Sequence, residues 1–185
     1  MQNSALGLIE FKSVAKGIFA TDAVVKKASV EILSTNPVCP GKYLLMFAGE
    51  VAAVDAAFQA GLVAAGDMVI NNLFLPYLHQ DIIPAIAGAT KIEKFGAIGV
   101  LEAFSVASCV AAADIAAKNT PIQLVEIRLA NGLGGKAFFV LTGELADVES
   151  SVMVAKEYIQ TEGLLAGSEI IAAPHADLLA KGIYW

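Results

Sequence analysis

The chain has 185 residues and a net charge of −6, with 57% hydrophobic and 16% charged residues and a mean hydropathy of +0.67. Arg128 is the sole arginine and no run of Lys and Arg occurs, which argues against nucleic-acid binding, since phosphate neutralisation needs clustered cations. A spanning helix needs about 20 apolar residues in a row, and the most apolar stretch, Ala97–Ala117, is broken by Glu102 and Asp114, which argues against a membrane partner.

In chain order, Leu6–Phe11 reads as a short apolar strand. Ser13 caps a helix running to about Ala28, with Ala15, Ile18, Phe19, Ala23 and Val24 expected on one face. A second strand covers Val30–Ser34. Asn36–Gly41 (N-P-V-C-P-G) reads as a loop, because two prolines and a glycine in six residues disfavour a regular element. Lys42–Ala48 is the third strand, Val51–Ala65 an Ala-rich helix stopped by Gly66, Met68–Leu75 the fourth strand, and a short helix begins at His79 and is limited by Pro84. The order then repeats. Strands are expected near Ala97–Ala103, Ile122–Arg128, Lys136–Leu141 and Glu169–Ala172, and helices near Ser105–Ala117 and Leu145–Thr161, before a last short helix. Trp185 ends the chain, free to pack on a neighbour or to fray.

The repetition extends to single residues. Ala5–Glu10 (A-L-G-L-I-E) returns as Ala97–Glu102 (A-I-G-V-L-E), Ser13 as Ser105, Asp22 as Asp114 and Lys26 as Lys118, all 92 positions on. Gly41-Lys42 returns as Gly135-Lys136 and Gly49-Glu50 as Gly143-Glu144 at a spacing of 94, and His79 returns as His175 at 96. A period this long is a duplicated domain. The reading is therefore α+β, with two tandem ferredoxin-like βαββαβ domains at 1–90 and 91–185. A pseudo-symmetric pair of this kind can stand in for two neighbouring subunits of a ring, and the excess apolar surface is expected to be buried between subunits.

Residues that could carry chemistry are few. Cys39 and Cys109 occupy non-equivalent places in the repeats and no C-x-x-C occurs, which argues against a disulfide framework. Cys39 lies between Pro37 and Pro40 and is offered at a fixed place, whereas Cys109, mid-helix among Ala and Val, reads as a buried apolar-like thiol. Gly132, Gly134 and Gly135 form the matching loop of the second repeat. It can be an ordinary glycine turn or a rim of exposed backbone N–H groups, and no P-loop Lys-hydroxyl pair follows it. Lys26 and Lys118 each follow an Asp by four residues, a favourable helical pair. His79 and His175 each start a short helix and fit caps better than acid–base chemistry. No hydrolase triad, H-E-x-x-H, Walker motif or dinucleotide fingerprint is visible, which argues against an enzyme.

The segment Gly41-Lys42…Gly49-Glu50-Val51-Ala-Ala-Val54, the openings Gly7–Glu10 and Gly99–Glu102, and the turns at Pro76–His79 and Ala173–His175 resemble those of bacterial microcompartment shell proteins of the tandem-domain, non-permuted class. The likeness covers nearly the whole chain. It implies a homotrimer shaped as a pseudo-hexagonal tile, set among hexameric shell proteins of a cytoplasmic bacterial microcompartment. Val38–Met46 (V-C-P-G-K-Y-L-L-M) and Gly132–Lys136 (G-L-G-G-K) point to the branch whose pore carries iron and sulfur. For that branch the resemblance implies a central pore lined by Val38, Cys39, Pro40, Gly41, Asn131, Gly132, Leu133, Gly134 and Gly135. There the Cys39 thiols of three subunits bind one [4Fe–4S] cluster with an exogenous fourth ligand, for electron transfer across the shell or cluster supply, with enclosed redox enzymes as partners. It also implies a tile-edge role for Lys26, Lys118, His79 and His175. Neither turn keeps the family's Arg before Pro-His, so edge packing uses other groups. Two alternatives stand beside this: a tile with an open metabolite pore and no cluster, and a ferredoxin-like trimer that senses a small ligand.

Overall fold

A computed structural model gives the fold and describes residues 5–92 and 94–181; Trp185 lies outside the described residues. The chain divides into two compact units. The first runs to Leu78 and takes in Asn131–Gly135; the second holds His79–Ala130 and continues from Lys136. The repeat boundary expected from the sequence lies at residue 90, whereas the helix after His79 packs in the second unit.

The first unit contains β1 (Ala5–Phe11), α1 (Val14–Lys27), β2 (Glu31–Val38), β3 (Lys42–Gly49), α2 (Val51–Ala65) and β4 (Val69–Leu75), with a 3-10 turn at Gly66–Met68 before β4. Its strands lie in the order β2-β3-β1-β4, all antiparallel, which is the expected βαββαβ arrangement. Ser13 is extended and its Oγ accepts the Lys16 N–H at 3.3 Å, while Lys26 and Lys27 occupy the last turn of α1 and complement the helix dipole. Ile9, Phe11, Tyr43, Leu45 and Phe47 of the sheet pack against Ala20 and Val24 of α1 and Val54, Ala57 and Phe58 of α2. The stretch Val51–Met68 is apolar and long enough to cross a membrane by composition, but in this fold its buried stripe Val54, Ala57, Phe58, Gly61 and Ala65 is part of a packed domain.

The second unit contains α3 (Ile82–Ile86), β5 (Ala97–Ala103), α4 (Val106–Asn119), β6 (Gln123–Arg128), β7 (Ala137–Gly143), α5 (Leu145–Thr161), β8 (Leu165–Ile171) and α6 (Ala176–Lys181). Its sheet order, β6-β7-β5-β8, repeats that of the first unit. Ser105 repeats the Ser13 cap, accepting the Ser108 N–H at 3.3 Å. α3 packs against β6 and α4.

Four local expectations are corrected. β2 continues through Asn36, Pro37 and Val38, which pair with Leu44, Tyr43 and Lys42. Pro37 is tolerated because β2 is an edge strand, where a missing N–H breaks no ladder. β8 begins at Leu165, four residues before the expected start, because pairing with β5 recruits Gly167 and Ser168 despite their weak strand preference. α3 begins at Ile82 and not at His79, which lies in the turn before it. The face of α1 used by the core is Gly17, Ala20 and Val24, while Ile18 and Phe19 are exposed.

Candidate functional site

Cys39 occupies the tip of the β2–β3 hairpin. The turn is closed by the Gly41 N–H donating to the Val38 carbonyl at 3.0 Å, and the Cys39–Pro40 peptide is cis. Val38 is buried at the end of its strand, Cys39 is half-buried, and Pro40 and Gly41 are exposed. The loop Asn131–Gly135 belongs to the same compact unit. Gly135 is buried with φ +89°, and a Cβ there would lie 2.8 Å from Pro40 Cδ and 3.2 Å from the Cys39 carbonyl oxygen. Only glycine allows this close approach, so Gly135 seats the glycine loop on the cysteine turn. Asn131, Gly132 and Gly134 are exposed and Leu133 is half-buried. The structure thus brings the two expected pore loops together in one unit.

Cys39 is a free thiol, and Cys109 is fully buried in α4, as its apolar surroundings predict. Among the described residues no group of three or more His, Cys, Asp or Glu could hold a metal ion. One chain therefore offers one accessible thiol among the described residues where an iron–sulfur cluster takes four ligands. Its residues fit such a group only as one part of a site shared among copies.

Lys26 pairs with Asp22 at 2.6 Å, both well exposed, and Lys118 pairs with the buried Asp114 at 2.5 Å. His79 Nδ1 accepts the Asp81 N–H at 3.3 Å, and His175 Nδ1 accepts the Asp177 N–H at 3.2 Å. Both imidazoles thus brace the turn at the start of a short helix.

The most informative feature is a difference in burial between repeats. α1 exposes Ile18 (56%) and Phe19 (60%), with Val14 and Val25 also open; the α4 residues at the same register, Val110 (0%), Ala111 (4%), Val106 and Ala117, are buried. The sheets differ in the opposite sense. On the face of the first sheet away from its helices, Leu8, Glu10 and Leu44 are fully buried, while their counterparts Val100, Glu102 and Phe138 are half-buried. Val100 and Glu102, with Gly167, Ser168 and Glu169, line a hollow of about 400 Å³. The same ion pair records the contrast. Glu10–Lys42 (3.4 Å) has its carboxylate wholly buried, whereas in Glu102–Lys136 (2.5 Å) both side chains are about two-fifths exposed. Each unit therefore has one open face of a kind that is closed in the other: a helix face on the first, a sheet face on the second. Sequence periodicity misses these residues because it groups Ile18 and Phe19 with the core; their small counterparts Val110 and Ala111 are the only sequence signal.

Comparison with known proteins agrees with this architecture. The BMC domain matches residues 5–78 and again 97–174. The bacterial microcompartment shell protein PduT of Citrobacter freundii is 42% identical over 176 residues, covering 95% of this chain and 96% of that one. PduA of the same organism, also a bacterial microcompartment shell protein, is 40% identical over 85 residues, covering 44% of this chain and 90% of its own. The crystal structure of a microcompartment protein from Desulfitobacterium hafniense superposes with a TM-score of 0.89 at 42% identity, over 96% of this chain and 99% of that one. A fused permuted hexameric shell protein of the RMM microcompartment shares the fold, with a TM-score of 0.63 at 22% identity over 85% of this chain and 82% of its own. With two BMC domains in tandem and a near full-length match to a shell protein, the chain belongs to the bacterial microcompartment shell protein family.

Proposed function

We propose that this protein is a tile of a microcompartment shell, in which three copies close head to tail into a pseudo-hexagonal ring among hexameric shell proteins. The burial contrast between the repeats carries this reading. The α1 face of one copy, with Ile18 and Phe19, covers the sheet face of the next copy around Val100, Glu102 and Phe138. A contact between two different faces is heterologous, and it ends in a closed ring when the rotation per copy is a simple fraction of a turn. With two similar domains per chain, three copies give six positions, the geometry of a hexagonal tile. Lys26, Lys118, His79 and His175 are assigned to its outer edge. Electron cryo-microscopy of the purified protein is expected to show six-lobed rings with threefold symmetry; open chains or dispersed single copies would contradict the ring.

The hairpin turns carrying Cys39 and the loops Asn131–Gly135 are assigned to the axis. Threefold symmetry gathers three Cys39 thiolates there, and a [4Fe–4S] cluster held by them takes its fourth ligand from outside the chain. Such a cluster supplies one-electron transfer, for which enclosed redox enzymes are the natural partners. The half-buried free thiol and the V-C-P-G-K motif support this assignment. Anaerobically purified protein, reconstituted with iron and sulfide, is expected to be brown with about four irons per ring, and Cys39→Ser is expected to be colourless. A colourless wild-type ring after reconstitution would favour an open metabolite pore.

A further inference from the structure

The second unit contains a clasp whose counterpart is unmade. The His79 N–H donates to Asp114 Oδ1 at 2.8 Å, and the other carboxylate oxygen of Asp114 takes Lys118 Nζ. Asp114 thus ties α4 to the segment that leads into α3, and α3 lies on β6 with Ile82 and Ala85 buried. In the repeat register the matching set is His175, Asp22, Lys26, α6 and β2. The His175 side chain is 80% exposed, and its N–H has no acceptor among the described residues. Asp22 holds Lys26 but is otherwise in the open. Ile32, Leu33 and Ser34 of β2 are half-buried and Thr35 is exposed, whereas Leu124–Ile127 of β6, at the same register, are buried.

We propose that the His175 N–H of one copy donates to the Asp22 carboxylate of the copy whose α1 covers its sheet face, with α6 set against that copy's β2, repeating between copies the His79–Asp114 clasp. This rests on the ring reading and names the contact that closes it. Each copy gives one clasp through α6 and receives one at Asp22, so a closed ring leaves none unused. Leu178 and Leu179 hold the register positions of Ile82 and Ile83 but pack on the Ile98, Val125 and Val140 cluster of their own unit, so the clasp itself is carried by His175 and Asp22.

Hydrogen exchange at the His175 amide, read by fragment mass spectrometry on the full-length protein, tests this, with the His79 amide as reference and the oligomeric mass measured on the same samples. The wild-type ring is expected to protect His175 at least tenfold. Asp22→Ala abolishes that protection while His79 stays protected, and Asp22→Asn, which keeps an acceptor oxygen, retains most of it. A ring that forms with His175 exchanging freely, or with protection indifferent to Asp22→Ala, overturns the clasp and leaves the ring standing. A protein that never assembles overturns both.

Discussion

Gly7 is fully enclosed in β1, and a Cβ added there would lie 2.5 Å from Cζ of the Phe47 ring. Phe47 is itself fully buried, so its ring cannot swing out into solvent. Gly7→Ala is therefore expected to cost about 1–3 kcal/mol through overpacking, read as a lower urea midpoint with an unchanged slope. An unchanged midpoint would mean that the ring has more room than the packing indicates. The glycine is visible in the sequence as part of a repeated G-x-I/L-E opening, but its cause is not, because the ring comes from a strand forty residues away. Cys39 and Gly135 behave alike. The pairing of the two loops was legible from their shared place in the repeats, while the dependence of Pro40 on a missing Cβ at Gly135 is a matter of three dimensions.

At the scale of elements, α1 and α4 share a cap, a length, an Asp–Lys pair and a core face, yet α4 also buries the face that α1 leaves open. The same substitution should therefore act differently in each. Val110→Glu places a charge at a fully buried site and is expected to destabilise the fold by about 3 kcal/mol or more. Ile18→Glu, at the matching open position, leaves the monomer folded but removes an apolar contact worth about 1.5–3 kcal/mol per side chain buried. Circular dichroism should show a native melt for Ile18→Glu, and sedimentation should show loss of assembly; an intact ring would exclude α1 from the contact. Most elements were legible from periodicity and punctuation, and the Ser13 cap was correct to the residue. Periodicity failed where apolar residues serve an interface, since the pattern reports that a face is hidden but not from whom. Punctuation failed at Pro37, because its cost depends on whether the strand lies at the edge of the sheet, which is a property of topology.

For the whole molecule, duplication has made the two units similar without making them interchangeable. A helix face is open on one and a sheet face on the other, the asymmetry that head-to-tail closure requires. The fold follows from the repeat itself, because each half writes the same βαββαβ order and the same register of small residues. The loops at the candidate pore were legible for the same reason, as a place where the repeats diverge in both length and chemistry.

Sedimentation equilibrium of the wild-type protein tests the central claim most directly. The head-to-tail ring predicts a single species with three times the 19.2 kDa mass of the chain, unchanged over a wide range of protein concentration. A stable species of one or two chains would contradict it.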